Sequence, residues 1–214
     1  MSVVSEYIAG RIRNELAKGG KVLWLVAGGS AMDVAVKAAQ GLAGVDNLDN
    51  LMVTLTDERF GAVGHADSNW RQLENKGFSL PGAQLRPVLR GKDMAGTARE
   101  YADFLNEAID TCGYSLALAG MGPDGHIFGI KPGSPSVLSE EDVAGYDWDD
   151  FKRLTPTVKL LKKLDEVVVY AVGKEKYAQL DMLEGEVPAL EQPAQQLKAL
   201  KNVTVFNDYK GEVR

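Results

Sequence analysis

The chain has one cysteine, Cys112, in 214 residues. No intramolecular disulfide can form, and a single thiolate cannot build a cysteine zinc site. Histidine is almost as scarce, with only His65 and His126. No His/Asp/Glu cluster offers a metal ion a place, so neither a metal nor another cofactor is expected. A signal peptide and an apolar run of membrane-spanning length are both missing, which makes the cytoplasm the expected compartment. Positive charge is in deficit. The net charge is −6, whereas a general nucleic-acid or membrane-surface binder needs a basic face. A small anionic ligand stays open, because it needs only local positive charge. The dinucleotide fingerprint G-x-G-x-x-G and the Walker Gly-Lys-Ser/Thr loop are absent. Nicotinamide and nucleoside triphosphate cofactors therefore rank low. No internal repeat, low-complexity run or linker interrupts the sequence, and residues 1–214 read as one domain long enough for a sizeable core.

What is present is a series of buried-strand signatures. Leu116-Ala117-Leu118-Ala119 is apolar without alternation, as expected of a strand covered on both faces in a parallel sheet. Lys21 to Ala27, Leu51 to Thr56 and Glu166 to Val172 have the same character, and Val203 to Phe206 reads as a closing strand. Spacings of three and four predict helices over Val3 to Lys18, Ala31 to Leu42 and Ala98 to Ile109. A helix is also expected from Pro156 to Leu164, another after Gly173, and a short one before Lys201.

The chemistry gathers where these strands end. After Ala119 come Gly120, Gly122 and Gly125, with Asp124 and His126 among them. Side chains at the carboxyl ends of strands face the ligand crevice of an open α/β sheet, and histidine is the side chain best suited to moving protons near neutral pH. A surface turn is the competing reading of a lone histidine; Asp124 two residues earlier favours a functional pair. After Ala27 come Gly28-Gly29-Ser30 and a helical pattern. Strand, glycines, hydroxyl and helix form a phosphate-binding arrangement. A tight turn with Ser30 as N-cap also fits, and the two readings are compatible. After Thr56 come Asp57-Glu58-Arg59, which read equally as a solvated turn or as crevice residues. The loop His65 to Asn69 is rich in turn formers. Ser139 to Asp150 carries six acidic residues and no basic one. It reads as a solvated loop or flap, and an acidic flap should sit away from any phosphate.

Four blocks stand in order: AGGS at 27–30, TDER at 56–59 with DSN at 67–69, AGMGPDGH at 119–126, and RLTPTV at 153–158 followed by GKEK at 173–176. Over nearly its whole length the chain resembles the 6-phosphogluconolactonase branch of the family that also holds glucosamine-6-phosphate isomerase/deaminase. The resemblance implies a Rossmann-like fold: doubly wound α/β, with a mostly parallel sheet and helices on both faces. It implies that Gly28, Gly29, Ser30, Arg153 and Lys176 hold a sugar 6-phosphate, with Asn69 of the D-S-N block among the substrate-binding residues. His126 would be the general base. Arg59 would stabilise negative charge near the lactone, Asp57 would line the same crevice, and Asp124 would fix the loop or orient the ring. The expected partner is a small phosphorylated sugar lactone.

The chain departs from the pattern in four places, one of them a C-terminus without the usual Asp-x-x-Ala ending. Lactonases commonly read T-A-S-L-F-P-G after the histidine, and here Ile127 to Gly133 read IFGIKPG. Ala31-Met32 stand where Thr-Pro is usual. The isomerases carry a glutamate five residues after the histidine, where this chain has Lys131, and that argues against deamination. A sugar-phosphate sensor on the same fold would need a DNA-binding module, and no basic patch supplies one.

Overall fold

The computed structural model describes residues 2–209. Among these described residues nine strands and six helices follow one another: α1 (Val3–Ala17), β1 (Val22–Val26), α2 (Met32–Gly41), β2 (Leu51–Leu55), β3 (Glu58–Arg59), α3 (Asn69–Asn75), β4 (Gln84–Leu85), α4 (Met94–Thr111), β5 (Tyr114–Gly120), β6 (Val143–Asp147), β7 (Lys152–Pro156), α5 (Val158–Leu161), β8 (Glu166–Ala171), α6 (Tyr177–Glu184) and β9 (Val203–Asn207). Five short 3₁₀ turns join them, at 29–31, 48–50, 135–138, 174–176 and 193–199.

Six strands form one parallel sheet in the order β4-β2-β1-β5-β8-β9. The chain winds outward from β1 through β2 to β4, then returns beside β1 as β5 and winds the other way. Crossovers between parallel strands are right-handed as a rule, so winding in opposite directions from that reversal places helices on opposite faces. Every residue of β1 is buried, which is why its sequence shows no alternation. Trp24 lies fully buried at the strand's middle and packs on Phe78 with ring centroids 5.9 Å apart. The reversal between β1 and β5 is the topological switch point, where this architecture opens a crevice at the strand carboxyl ends.

The helices start where local chemistry satisfies their free N–H groups. Ser2 caps α1 in a capping box with Ser5. Asp93 caps α4 by accepting from the Gly96 N–H at 2.7 Å. That cap starts the helix four residues before the expected Ala98, through a stretch whose glycine hides the apolar pattern.

The segment expected to be an acidic loop is a strand instead. β6 pairs antiparallel with β7, and β7 pairs antiparallel with β3, in a small sheet of order β3-β7-β6. Val143 and Tyr146 are buried while Gly145 and Asp147 face water, so the strand's single acid is exposed at its end and the other acids of the segment flank it. Pro156 closes β7 rather than opening a helix. α5 is correspondingly short, and the segment before Lys201 is 3₁₀, not α-helical.

Candidate active site

A cleft of about 380 Å³ opens at the carboxyl ends of β1, β2, β5 and β8. Nine of the ten residues singled out from the sequence line it: Gly28, Gly29 and Ser30 after β1; Asp57, Arg59 and Asn69 after β2; His126 after β5; Arg153 on β7; and Lys176 after β8. The tenth, Asp124, stands behind His126.

On the β1 side, a 3₁₀ turn at Gly29–Ala31 precedes α2, and the N-cap of α2 is Ala31, without a side-chain bond. Ser30 is therefore not the helix cap, because the extra turn carries it off the cap position. Its hydroxyl oxygen instead accepts from Lys176 Nζ at 3.2 Å. Burial pushes the Lys176 ammonium below its ordinary value, and the charges of Glu175 and Asp208 oppose that shift. A buried cation beside a hydroxyl and the free N–H groups of a tight turn is a receptor for an anion. Gly28 is required by close approach, since a Cβ there would lie 2.4 Å from Asn69 Oδ1.

Asp57 and Glu58 are buried, at 8% and 0% exposure, so the solvated-turn reading fails. Glu58 accepts from the backbone N–H groups of Arg59, Asn69 and Trp70 at 2.7, 2.6 and 3.2 Å, and from the Ser68 hydroxyl at 2.9 Å. Burial pushes its carboxyl up, and these four donors pull against that. Glu58 thereby fixes the start of α3 and aims Asn69, whose Nδ2 donates to the Asp57 carbonyl at 3.0 Å.

The small sheet supplies the positive end. Arg59 and Arg153 are direct cross-strand partners. Like charges placed opposite each other are destabilising, and here Phe151 mediates, with Arg59 stacked 4.6 Å and Arg153 5.6 Å from its ring centre. Asp150 accepts from Arg153 at 2.7 Å, and Asp57 lies 3.9 Å from the same guanidinium. Among the described residues the buried Nε of Arg59 has no hydrogen-bond partner. Contrary to expectation, the end of the acidic segment enters the cleft, and Asp150 sits on an arginine that the resemblance gives to the phosphate.

His126 is the titratable centre. Its Nδ1 faces Asp124 Oδ1 at 2.5 Å, and Lys131 Nζ donates to Asp124 Oδ2 at 3.0 Å. Burial raises the Asp124 carboxyl. The bond and charge of His126, then the bond from Lys131, outweigh it and hold the group well below the usual carboxylate range. With Nδ1–H donated to Asp124, Nε2 carries the lone pair. Among the described residues Nε2 takes no hydrogen bond, and the ring is 27% exposed toward the cleft. Gly122 makes room for it: a Cβ there would lie 2.1 Å from Nδ1.

Lys131, Asp150 and Phe151 were not expected at the site. Lys131 was signalled only as a departure from the family pattern. The other two had no local signal, because β7 and its loop bring them in by pairing. Among the described residues no group of three His, Cys, Asp or Glu side chains converges as a metal site.

Fold and site together define an α/β protein whose switch-point cleft gathers a glycine turn, a buried lysine, two arginines and an Asp–His pair. The sequence profile of the glucosamine-6-phosphate isomerases/6-phosphogluconolactonase family matches residues 1–206, and the chain belongs to that family. A 6-phosphogluconolactonase of Rattus norvegicus is 28% identical over 179 residues, which cover 77% of this chain and 70% of the rat protein. One of Pseudomonas aeruginosa is 33% identical over 152 residues, covering 64% of this chain but only 58% of its own length. Among solved structures, a 6-phosphogluconolactonase from Shewanella baltica superposes with a TM-score of 0.80 at 19% identity, covering 95% of this chain and 92% of its own. A monomeric glucosamine-6-phosphate deaminase gives 0.77 at 19% identity, covering 95% and 92%. The fold is thus shared by both chemistries, and the choice between them rests on the site. Among the described residues no helix is long and apolar enough to cross a membrane.

Proposed function

We propose that the chain hydrolyses 6-phospho-D-glucono-1,5-lactone to 6-phosphogluconate, a step of the pentose phosphate pathway, in the cytoplasm and without a metal. The observation that carries this reading is the open Nε2 of His126, oriented by Asp124 and facing the same cleft as the Ser30–Lys176 pair and the two arginines.

The 6-phosphate takes the place beside Gly28, Gly29, Ser30, Lys176 and Arg153, and Asn69 helps hold the substrate. Neutral His126 accepts a proton from water at Nε2 as the water oxygen bonds to the lactone carbonyl carbon. Arg59 and backbone N–H groups of the glycine-rich loop stabilise the oxyanion. The imidazolium then returns the proton to the ring oxygen as the ring carbon–oxygen bond breaks, and the new carboxylic acid ionises. Such lactones open unaided, so the enzyme need lower only a modest barrier. A general base supplies roughly 10²- to 10⁴-fold, and phosphate anchoring adds positioning. The basic residue Lys131 at the isomerases' glutamate position turns the reading away from deamination.

The test is a lactonase assay on freshly made 6-phosphogluconolactone beside an ammonia-release assay on glucosamine 6-phosphate. Lactone hydrolysis above the spontaneous rate, with no ammonia, is expected. Ammonia release without lactonase activity reverses the assignment, and inactivity on both points to a sensor.

A further inference from the structure

We infer that Lys131 is a positioning residue of the proposed reaction: it neutralises and anchors Asp124, and so keeps His126 in the neutral form that can accept a proton. The inference rests on the lactonase reading for its kinetic consequence, but its physical content stands on the geometry.

Asp124 is shared. One carboxylate oxygen meets His126 Nδ1 at 2.5 Å and the other accepts from Lys131 Nζ at 3.0 Å. The ammonium itself lies 3.4 Å from Nδ1. An Asp–His pair by itself favours the imidazolium, because the carboxylate stabilises the ring's charge. An imidazolium has no lone pair to take a proton from water. A cation bonded to the same carboxylate and only 3.4 Å from Nδ1 opposes the carboxylate's field at the ring and repels a ring charge directly. Lys131 is placed for this task. Its side chain is 14% exposed, its backbone N–H donates to the Tyr146 hydroxyl at 3.3 Å, and Tyr146 in turn bonds the Gly129 carbonyl. Asp150 Oδ2 lies 3.8 Å from the ammonium and completes the chain Asp124–Lys131–Asp150–Arg153.

The charged groups facing His126 are therefore Asp124 and Lys131 in contact, with Asp150 behind. Asp57, Arg59, Arg153, Glu175 and Lys176 line the same cleft. Among the described residues only Asp124 bonds to a ring nitrogen, and the Lys131 ammonium lies 3.4 Å from that same Nδ1.

The experiment compares wild type, Lys131→Met and Lys131→Arg in kcat against pH, from mildly acidic to neutral, after subtracting spontaneous hydrolysis. In parallel, nitrogen-15 NMR follows the imidazole, assigned by its loss in His126→Asn. For Lys131→Met the acidic limb of kcat and the His126 titration should both move up by about one pH unit. The kcat should fall on the order of tenfold below neutrality and recover toward wild type above it. Lys131→Arg should restore both. An unmoved limb, or an equal loss at every pH, overturns the inference, since the second is what a merely structural residue would give. If wild type opens no lactone, the functional reading fails and the NMR titration alone decides: a midpoint raised in Lys131→Met upholds the role, and an unchanged one ends it. Lys131→Gln replaces the Met variant if that one does not fold.

Discussion

Replacing His126 by asparagine removes the base while keeping a compact polar side chain that can still bond Asp124. The expected loss follows from the site. General-base work is worth roughly 10²- to 10⁴-fold, or about 2.7 to 5.4 kcal/mol of barrier. The His126 side chain is 27% exposed, so bulk water can accept part of the proton in the variant. This places the loss in the lower half of the range, about 10²- to 10³-fold in kcat. KM should change little, because the proposed phosphate contacts, Ser30, Lys176 and Arg153, come from other elements. Wild-type kcat should fall as pH drops into the range where imidazole takes up a proton, since the protonated ring cannot act as base. The variant's profile should be flat there. The assay is initial-rate hydrolysis of fresh lactone across pH, with spontaneous opening subtracted at each point. A variant with near wild-type kcat, or one that keeps the acidic limb, refutes the assignment and moves attention to Asp57.

Four further outcomes are expected. Lys176→Ala should raise KM by about 10- to 100-fold with kcat nearly kept, the loss of one charge-assisted contact felt equally in ground and transition states. Burial lowers the Lys176 ammonium from 10.5, so affinity for 6-phosphogluconate, measured by calorimetry, should weaken as pH rises and start doing so below the ordinary lysine range; affinity that holds through that range contradicts the phosphate role. Asp150→Asn should lower KM by about 1.5- to 5-fold, because it releases Arg153 from a half-exposed ion pair worth about 0.2 to 1 kcal/mol, and a raised KM would show that Asp150 orders the arginine instead. Glu58→Gln should cost about 1 to 3 kcal/mol in urea unfolding, because an amide NH₂ replaces an acceptor facing four donors; an unchanged midpoint would mean that α3 starts without it.

Much of this protein is written locally. Val22–Val26, Leu51–Leu55, Leu116–Ala119 and Glu166–Ala171 are strands buried on both faces, and burial on both faces demands unbroken apolar runs that can be read directly. In a parallel sheet the carboxyl ends of such strands share one edge. The glycines, Asp57 and His126 that follow them therefore had to gather once the strands were recognised. The resemblance to the lactonases added Lys176, Arg153 and Asn69. What tertiary structure decided was the pairing. Val143–Asp147 looks like solvated loop because acids flank it on both sides and Asp147 ends it, and its strand character comes from pairing with β7 rather than from its own sequence. That pairing sets Arg59 against Arg153, inserts Phe151 between them and brings Asp150 into a cleft its charge should avoid. An extra 3₁₀ turn, too short to leave a periodic signal, freed Ser30 from capping a helix and turned it to Lys176. The chain doubles back after Phe128, whose φ is +56°, and this return lays Lys131 against Asp124. Contacts of that kind depend on where the backbone goes, which side-chain spacing along the chain does not encode.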